Sequence, residues 1–258
     1  MRNIAKLMKD WQFTGPDGVT AAVALPHTWN AVDGQDGGND YWRGTCTYCT
    51  SFAAPVYDPE QQQVWLQFEG VNASATVLLN GQQLCAHDGG YSTFRAEITE
   101  LLQAENQLTV QVDNSVNDRI YPQKADFTFY GGIYRDVSLL VVNKNHIALG
   151  HFGDTGVKIT PDLKGGSADI QVETLVEGEG TVAVELLDAE GNSVARSEGA
   201  KTSLHLDAPH LWNGVKDPYL YTCVVRLMKD GQPVDEVRQR FGVRSFSVDA
   251  KQGFFLNG

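Results

Sequence analysis

Alternation with a period of two runs through almost the whole chain. Val64, Leu66 and Phe68 alternate with polar neighbours, and Ala75, Val77 and Leu79 do the same before Asn80-Gly81. Successive side chains on a strand point to opposite faces, so this spacing specifies strands with one buried face. Asn-Gly suits the two left-handed positions of a type I′ turn, which predicts a hairpin over 75–86. LTVQV at 108–112 and IYRDVSLLVV at 133–142 read as further strands. The ITELLQ segment at 98–103 offers a helical turn or two at most. Many short strands without intervening helices predict an all-β sandwich rather than an α/β sheet.

The pattern restarts near His146. DIQVETLVEG, TVAVELLDAEGNSVAR, TSLHLDAPHLWNG and YLYTCVVRLMKDGQPVDEVRQRFGVRSFSV follow in order, with Asp230-Gly231 marking a turn between two strands. Roughly seven short strands in about 100 residues is what an immunoglobulin-like sandwich needs. The Cys…Trp…Cys spacing of antibody domains is absent. Pro161 and Gly165-Gly166 are expected to punctuate the early loops of this unit. The final run, FFLNG, places Asn-Gly directly after apolar residues, an opening for another turn. The chain is therefore expected to be the front portion of a longer protein.

Length and charge narrow the function. With 258 residues, of which 42% are hydrophobic, the chain can bury one or more full cores without metal or disulfide staples. Acidic residues outnumber basic ones 32 to 20, a net charge of -12 that repels phosphate, so neither nucleic acid nor an anionic membrane is an expected partner. MRNIAKLMKDWQF lacks the apolar run of a signal peptide. Cys46 and Cys49 form a CxxC inside strand-like text, which sends them to opposite faces. With Cys85 and Cys223 they read as reduced thiols of a cytoplasmic protein, with no metal site. Asn72-Ala73-Ser74 fits a glycosylation sequon and is read as accidental.

No GxSxG, phosphate-binding glycine loop or convergent histidine set is present. Aromatic residues are more suggestive. Trp11, Trp29, Tyr41, Trp42, Tyr48, Trp65, Tyr91, Tyr121, Phe127, Phe129, Tyr130 and Tyr134 crowd the first unit, several in loop-like text. Such rings either plug a sandwich core or stack on the C–H face of a sugar.

Four stretches carry a family resemblance: PHTWN (26–30) with YWRGTCTY (41–48), FEGVNASATVLLNGQQLCAHDGGYSTFRAEIT (68–99), FTFYGGIYRDVSLLVV (127–142), and LWNGVKDPYLY (211–221) with RFGVRSF (240–246). In this order they resemble the N-terminal portion of family 2 glycoside hydrolases, nearest the β-galactosidase branch. The resemblance implies a jelly-roll sugar-binding-type domain over 1–145, an immunoglobulin-like β-sandwich over 146–248, and a 249–258 lead-in to a catalytic (β/α)8 barrel outside this chain. Both catalytic glutamates of that family belong to the barrel, so no residue here is assigned a catalytic role and no cofactor is implied. These domains are expected to be inactive alone, to support the barrel and to supply one wall of its pocket.

The resemblance further implies that Asp126, seven residues before Ile133 of Gly-Ile-Tyr-Arg, accepts hydrogen bonds from sugar hydroxyls. Asn39 is the candidate for a second substrate-binding contact. Arg43 and Arg135 are expected in partly buried ion pairs, His27 as an anchor of the Pro-His-x-Trp turn, and Gly131-Gly132 as a bulge or turn. The expected ligand is a β-galactoside, with a β-glucuronidase or other family 2 glycosidase as the alternative, or a free-standing carbohydrate-binding protein. An exposed barrel-facing patch on the second domain or the 249–258 stretch is expected to permit homo-oligomer formation.

Overall fold

The structure is a computed structural model that describes residues 1–31, 41–121 and 128–258. The chain divides into two compact units, Asn3–Val141 and Val142–Gly258, the latter joined by Met1–Arg2. Among the described residues the fold is all-β, and Thr99–Leu101, within the ITELLQ segment, forms a single 3-10 turn.

The Asn3–Val141 unit is a jelly-roll-like sandwich. One sheet runs Asn3–Lys6, Val137–Asn143, Gln62–Phe68, Phe94–Glu97, and the other Thr20–Val23, Trp11–Thr14, Thr45–Ala53, Glu105–Asp113, Ser74–Leu79, Gln82–Asp88. The two sheets are built on antiparallel pairings, among them Asn3–Lys6 with Val137–Asn143, Gln62–Phe68 with Phe94–Glu97, and Thr45–Ala53 with Glu105–Asp113. Alternate residues of both sheets meet in one core of Trp11, Tyr48, Val64, Leu66, Phe68, Val77, Leu79, Leu108 and Val110, all at most 1% exposed. Each such side chain contributes roughly 2 kcal/mol of burial. Asn80 and Gly81 take φ of 53° and 81°, the type I′ geometry that Asn-Gly predicts. A small third sheet joins His27–Thr28, Gly132–Ile133 and Val71–Asn72.

That third sheet alters the expectation for 133–142. The strand is broken: Ile133 pairs with His27 and Val71, and a separate strand begins at Val137 beside Gln62–Phe68 and Asn3–Lys6. Two different sets of partners claim the two ends, so no single strand can run through Tyr134–Asp136.

The Val142–Gly258 unit contains an immunoglobulin-like sandwich. A three-stranded sheet of Val157–Lys164, Ser167–Thr174 and Lys201–Asp207 accompanies a four-stranded sheet of Ser193–Glu198, Thr181–Leu187, Tyr221–Lys229 and Gln232–Phe241. Ala168, Ile170, Val172, Val184, Leu186, Cys223, Val225 and Leu227 share its core. Pro161 lies within a strand rather than in a loop. Val157–Lys164 is an edge strand, where a residue without an N–H leaves the ladder intact. Asp230 and Gly231 form the predicted turn, with φ of 52° and 75°. Outside the sandwich, Phe246–Asp249 pairs with Gly253–Leu256, exposing Phe246, Val248 and Phe254. Asn257 ties this hairpin back, donating from Nδ2 to the Trp212 carbonyl at 3.1 Å.

Candidate functional site

Of the four buried asparagines among the described residues of the first unit, Asn106 ties its own strand to Gln103 and Asn80, and Asn30, Asn72 and Asn114 gather elsewhere. A buried amide is tolerated when its donors and acceptors are matched. Asn30 Oδ1 accepts from the Gly131 N–H at 2.8 Å and from Asn114 Nδ2 at 3.2 Å, while its own Nδ2 donates to the Trp42 carbonyl at 2.9 Å. Asn114 Nδ2 also reaches the Phe129 carbonyl at 3.3 Å, and its Oδ1 accepts from the Gly44 N–H at 2.9 Å. Asn72 Nδ2 donates to the Tyr130 carbonyl at 2.7 Å, and Thr28 Oγ1 donates to the Gly131 carbonyl at 2.7 Å. Three side-chain amides and one hydroxyl thus clamp the backbone of Phe129–Gly131, and two of the same amides hold Trp42–Gly44.

Glycine is required where this backbone runs closest to its neighbours. A Cβ on Gly131 would stand 2.1 Å from the Trp29 ring, and one on Gly132 would stand 2.4 Å from the His27 carbonyl oxygen at a φ of 139°. Gly131-Gly132 therefore serves close packing, and in place of the expected bulge or turn Gly132 opens the short strand Gly132–Ile133.

The two predicted contact residues, Asn39 and Asp126, lie outside the described residues. What the structure does give is the sequence flanking both segments. Asn30 stands just before one and Trp42 just after it, and Asn30 bonds Trp42. Arg119 precedes the other, paired with Asp88 at 2.8 Å, and Phe129–Gly131 follows it in the asparagine clamp. Asp88 is held below the usual carboxylate range by its hydrogen bonds from Arg119 and Ser74.

Beside the clamp opens a hollow of about 350 Å³ lined by Thr28, Asn72, Tyr91, Tyr130 and Tyr134. The Tyr134 hydroxyl donates to the Gly90 carbonyl and burial pushes its pKa up to about 12, so it stays neutral and fixed. Tyr91 lies 6.4 Å from Tyr134 at an interplanar angle of 49°. A narrower hollow nearby shares Asn72 and Tyr91. Rings and amides of this kind bind and orient. None of the described lining is a carboxylate, the group that both steps of retaining glycoside hydrolysis use.

The aromatic residues divide between the two roles the sequence allowed. Trp11 and Tyr48 are core, whereas Tyr91, Tyr121 and Tyr130 are exposed. Arg43 and Arg135 depart from the ion pairs expected of them. The Arg43 guanidinium stacks over Tyr41 and Phe129 at 4.7 and 5.2 Å, and Arg135 donates to the Tyr91 carbonyl at 3.4 Å. A planar guanidinium is weakly hydrated and is attracted to an aromatic face, which settles Arg43 there without a carboxylate. Sequence reading missed the asparagine clamp altogether. The available signal was a polar Asn72 amid the apolar GVNASATV, which the sequon obscured. Burial and the bond to Tyr130 exclude glycan attachment at Asn72.

His27 anchors its turn, with Nδ1 2.7 Å from the Tyr48 hydroxyl. Burial lowers its pKa, and burial likewise lowers that of His87, which stacks on Phe94. Both rings fold in the neutral form, so their folded pKa values lie below the unfolded value near 6.5. The stability they contribute is full above that value and is lost as pH falls beneath it. The urea midpoint of this unit, followed by its tryptophans, is expected to drop between about pH 7.5 and pH 5.5. His27→Gln is expected to flatten that slope, and an unchanged slope would refute the assignment.

Comparison with known proteins places these sandwiches. The profile of the glycosyl hydrolase 2 galactose-binding domain-like family matches residues 37–161, and that of glycosyl hydrolases family 2 matches residues 151–244. The chain belongs to glycosyl hydrolase family 2. It carries the sugar-binding-type and immunoglobulin-like domains of that family. A β-glucuronidase of Bacteroides fragilis is 34% identical over 275 residues, covering 98% of this chain and 39% of its own length. Among solved structures, an FMN-binding β-glucuronidase from Facaelibacterium prausnitzii L2-6 superposes with a TM-score of 0.94 at 37% identity, over 100% of this chain and 42% of that one. A putative β-galactosidase from Bacteroides fragilis gives 0.90 at 37% identity, over 100% and 43%. The chain thus spans about two fifths of the length of these relatives.

Proposed function

We propose that this chain is the noncatalytic part of a retaining exo-β-glycosidase, supporting a catalytic barrel and forming one wall of its sugar pocket. The observation that carries the reading is the alignment itself: essentially all of this chain matches about two fifths of a β-glucuronidase. In this reading Asp126 accepts hydrogen bonds from hydroxyls of the terminal sugar, with Asn39 as a second contact. The asparagine clamp fixes the backbone on which both segments are mounted. A charged acceptor of this kind is worth about 1.5–3 kcal/mol. The four cysteines are free, and burial pushes the thiols of Cys46 and Cys223 up to about 12, which suits a reducing, cytoplasmic setting.

The substrate is a β-glucuronide in preference to the β-galactoside that the wording of TFYGGIYRDVSLL suggests. Two of the three relatives above, including the one of highest structural similarity, are named as β-glucuronidases. The flavin in one relative's name is no part of this reading. The test compares this chain with a longer enzyme that contains it, on p-nitrophenyl β-D-glucuronide and β-D-galactoside. The chain alone is expected to release no nitrophenol, and the longer enzyme to favour the glucuronide. Asp126→Ala in the longer enzyme is expected to cost about tenfold or more in kcat/KM. Turnover by the 258 residues alone would overturn the proposal.

A further inference from the structure

We infer that the tyrosine hollow of the Asn3–Val141 unit binds an aromatic ring, of the kind carried as the aglycone of an aryl glycoside. The glycoside half of this statement rests on the function proposed above, and the ring half stands on the geometry alone. The hollow, at about 350 Å³, falls within the range of small-molecule sites. Its walls are Tyr91, Tyr130 and Tyr134, two of them well exposed at 59% and 40%. Tyr91 and Tyr130 thus present exposed rings to one concavity, whereas Trp11 and Tyr48 of the same sandwich are fully enclosed.

The site is preorganised. Tyr134 is pinned through its hydroxyl to the Gly90 carbonyl, and Asn72 through its amide nitrogen to the Tyr130 carbonyl. A Cβ on Gly90 would stand 2.3 Å from Asn72 Oδ1, so the Gly90 turn and the Asn72 side chain fit only with glycine there. The Tyr134 ring and the Asn72 amide therefore hold their places without a ligand, which removes part of the ordering cost of binding.

The polar inventory selects the ligand class. Thr28 Oγ1 donates to the Gly131 carbonyl and accepts from the Asn30 N–H. The Tyr134 hydroxyl is committed to Gly90. Asn72 Oδ1 is the amide acceptor left, since among the described residues none donates to it, and the remaining polar atoms of the wall are the hydroxyls at the tips of Tyr91 and Tyr130. The lining is almost wholly apolar, so a pyranose, with a hydroxyl on nearly every ring carbon, finds few partners along it. A planar ring with a single polar substituent meets the lining: edge or face against the tyrosines, and a hydroxyl to Asn72. Tyr130 follows Asp126 by four residues in sequence, so the ring site adjoins, along the chain, the position proposed to accept from sugar hydroxyls.

The test titrates this chain with phenol, methyl β-D-glucuronide and methyl β-D-galactoside, following tyrosine ring signals by NMR. Phenol is expected to shift Tyr91, Tyr130 and Tyr134 saturably, with no such shift from either methyl glycoside. Tyr91→Ala, at an exposed position where folding is preserved, is expected to weaken phenol binding by about tenfold. Phe152→Ala, in the other unit, is expected to leave it unchanged. Absence of a saturable shift, indifference to Tyr91→Ala, or equal shifts from the methyl glycosides would each overturn the inference. Failure of a longer enzyme to cleave glycosides would overturn the function proposed above and leave the phenol result standing.

Discussion

Asp235→Ala is expected to lower the stability of the Val142–Gly258 unit by about 4 kcal/mol. The carboxylate is completely buried, and four donors converge on it. Arg2 Nε and Nη2 approach at 2.8 and 2.5 Å, the Ile147 N–H at 2.8 Å and the Glu236 N–H at 2.9 Å. Alanine leaves the Arg2 guanidinium, with 15% of its side chain exposed, as an enclosed cation without its anion, and strips both amides of their acceptor. Arg2→Ala is expected to cost less, about 2 kcal/mol, because the backbone amides still solvate the carboxylate. The double variant should therefore lose less than the sum of the two. Urea unfolding followed through Trp212, the one tryptophan in this unit's sequence, checks all three. A loss below about 1 kcal/mol for Asp235→Ala would mean that water reaches the pair.

That ion pair also shows where sequence reading stops. Arg2 and Asp235 are 233 residues apart, and nothing local to either announces the other. Local signals were read well. The alternation in Val64–Phe68 and the turns at Asn80-Gly81 and Asp230-Gly231 are decided by neighbours a few residues away, and the structure follows them. Pro161 misled because its meaning depends on whether the strand is an edge, a property of the sheet rather than of the segment. The 133–142 stretch misled for the same reason, since apolar alternation cannot say that its two ends pair with different strands.

The candidate site was less legible. Tyr48 and Tyr91 are the same residue type in equally aromatic text, yet one is core and the other surface, because only the tertiary partner distinguishes them. The amides of Asn30, Asn72 and Asn114 find theirs 12 to 101 residues away. Resemblance to the family supplied Asp126 and Asn39, and of the residues bracketing them Asn30, Trp42 and Phe129–Gly131 share one hydrogen-bonded clamp.

Gly132→Ala tests that clamp most severely, with an expected loss of about 4 kcal/mol from overpacking and backbone strain together. Gly132 bridges Thr28 on one side and Asn72 on the other. Its Cβ would meet the His27 carbonyl oxygen at 2.4 Å, the Thr28 Cα at 3.0 Å and the Tyr48 hydroxyl at 3.0 Å. Two of the three are backbone atoms held in the small sheet, so relief requires parting the strands. The φ of 139° adds strain for any side chain. Gly81→Ala provides the comparison, because Gly81 also has a positive φ, 81°, but nothing within 4 Å of its Cβ. It is expected to lose about 1 kcal/mol, the conformational part alone. Urea midpoints followed through the tryptophans of this unit measure both. Thr28 and Asn72 line the tyrosine hollow, so Gly132→Ala should also abolish the phenol-induced shifts while Gly81→Ala preserves them. Equal losses for the two variants would mean that the strands part easily at Gly132, and the clamp could not then hold the hollow in shape.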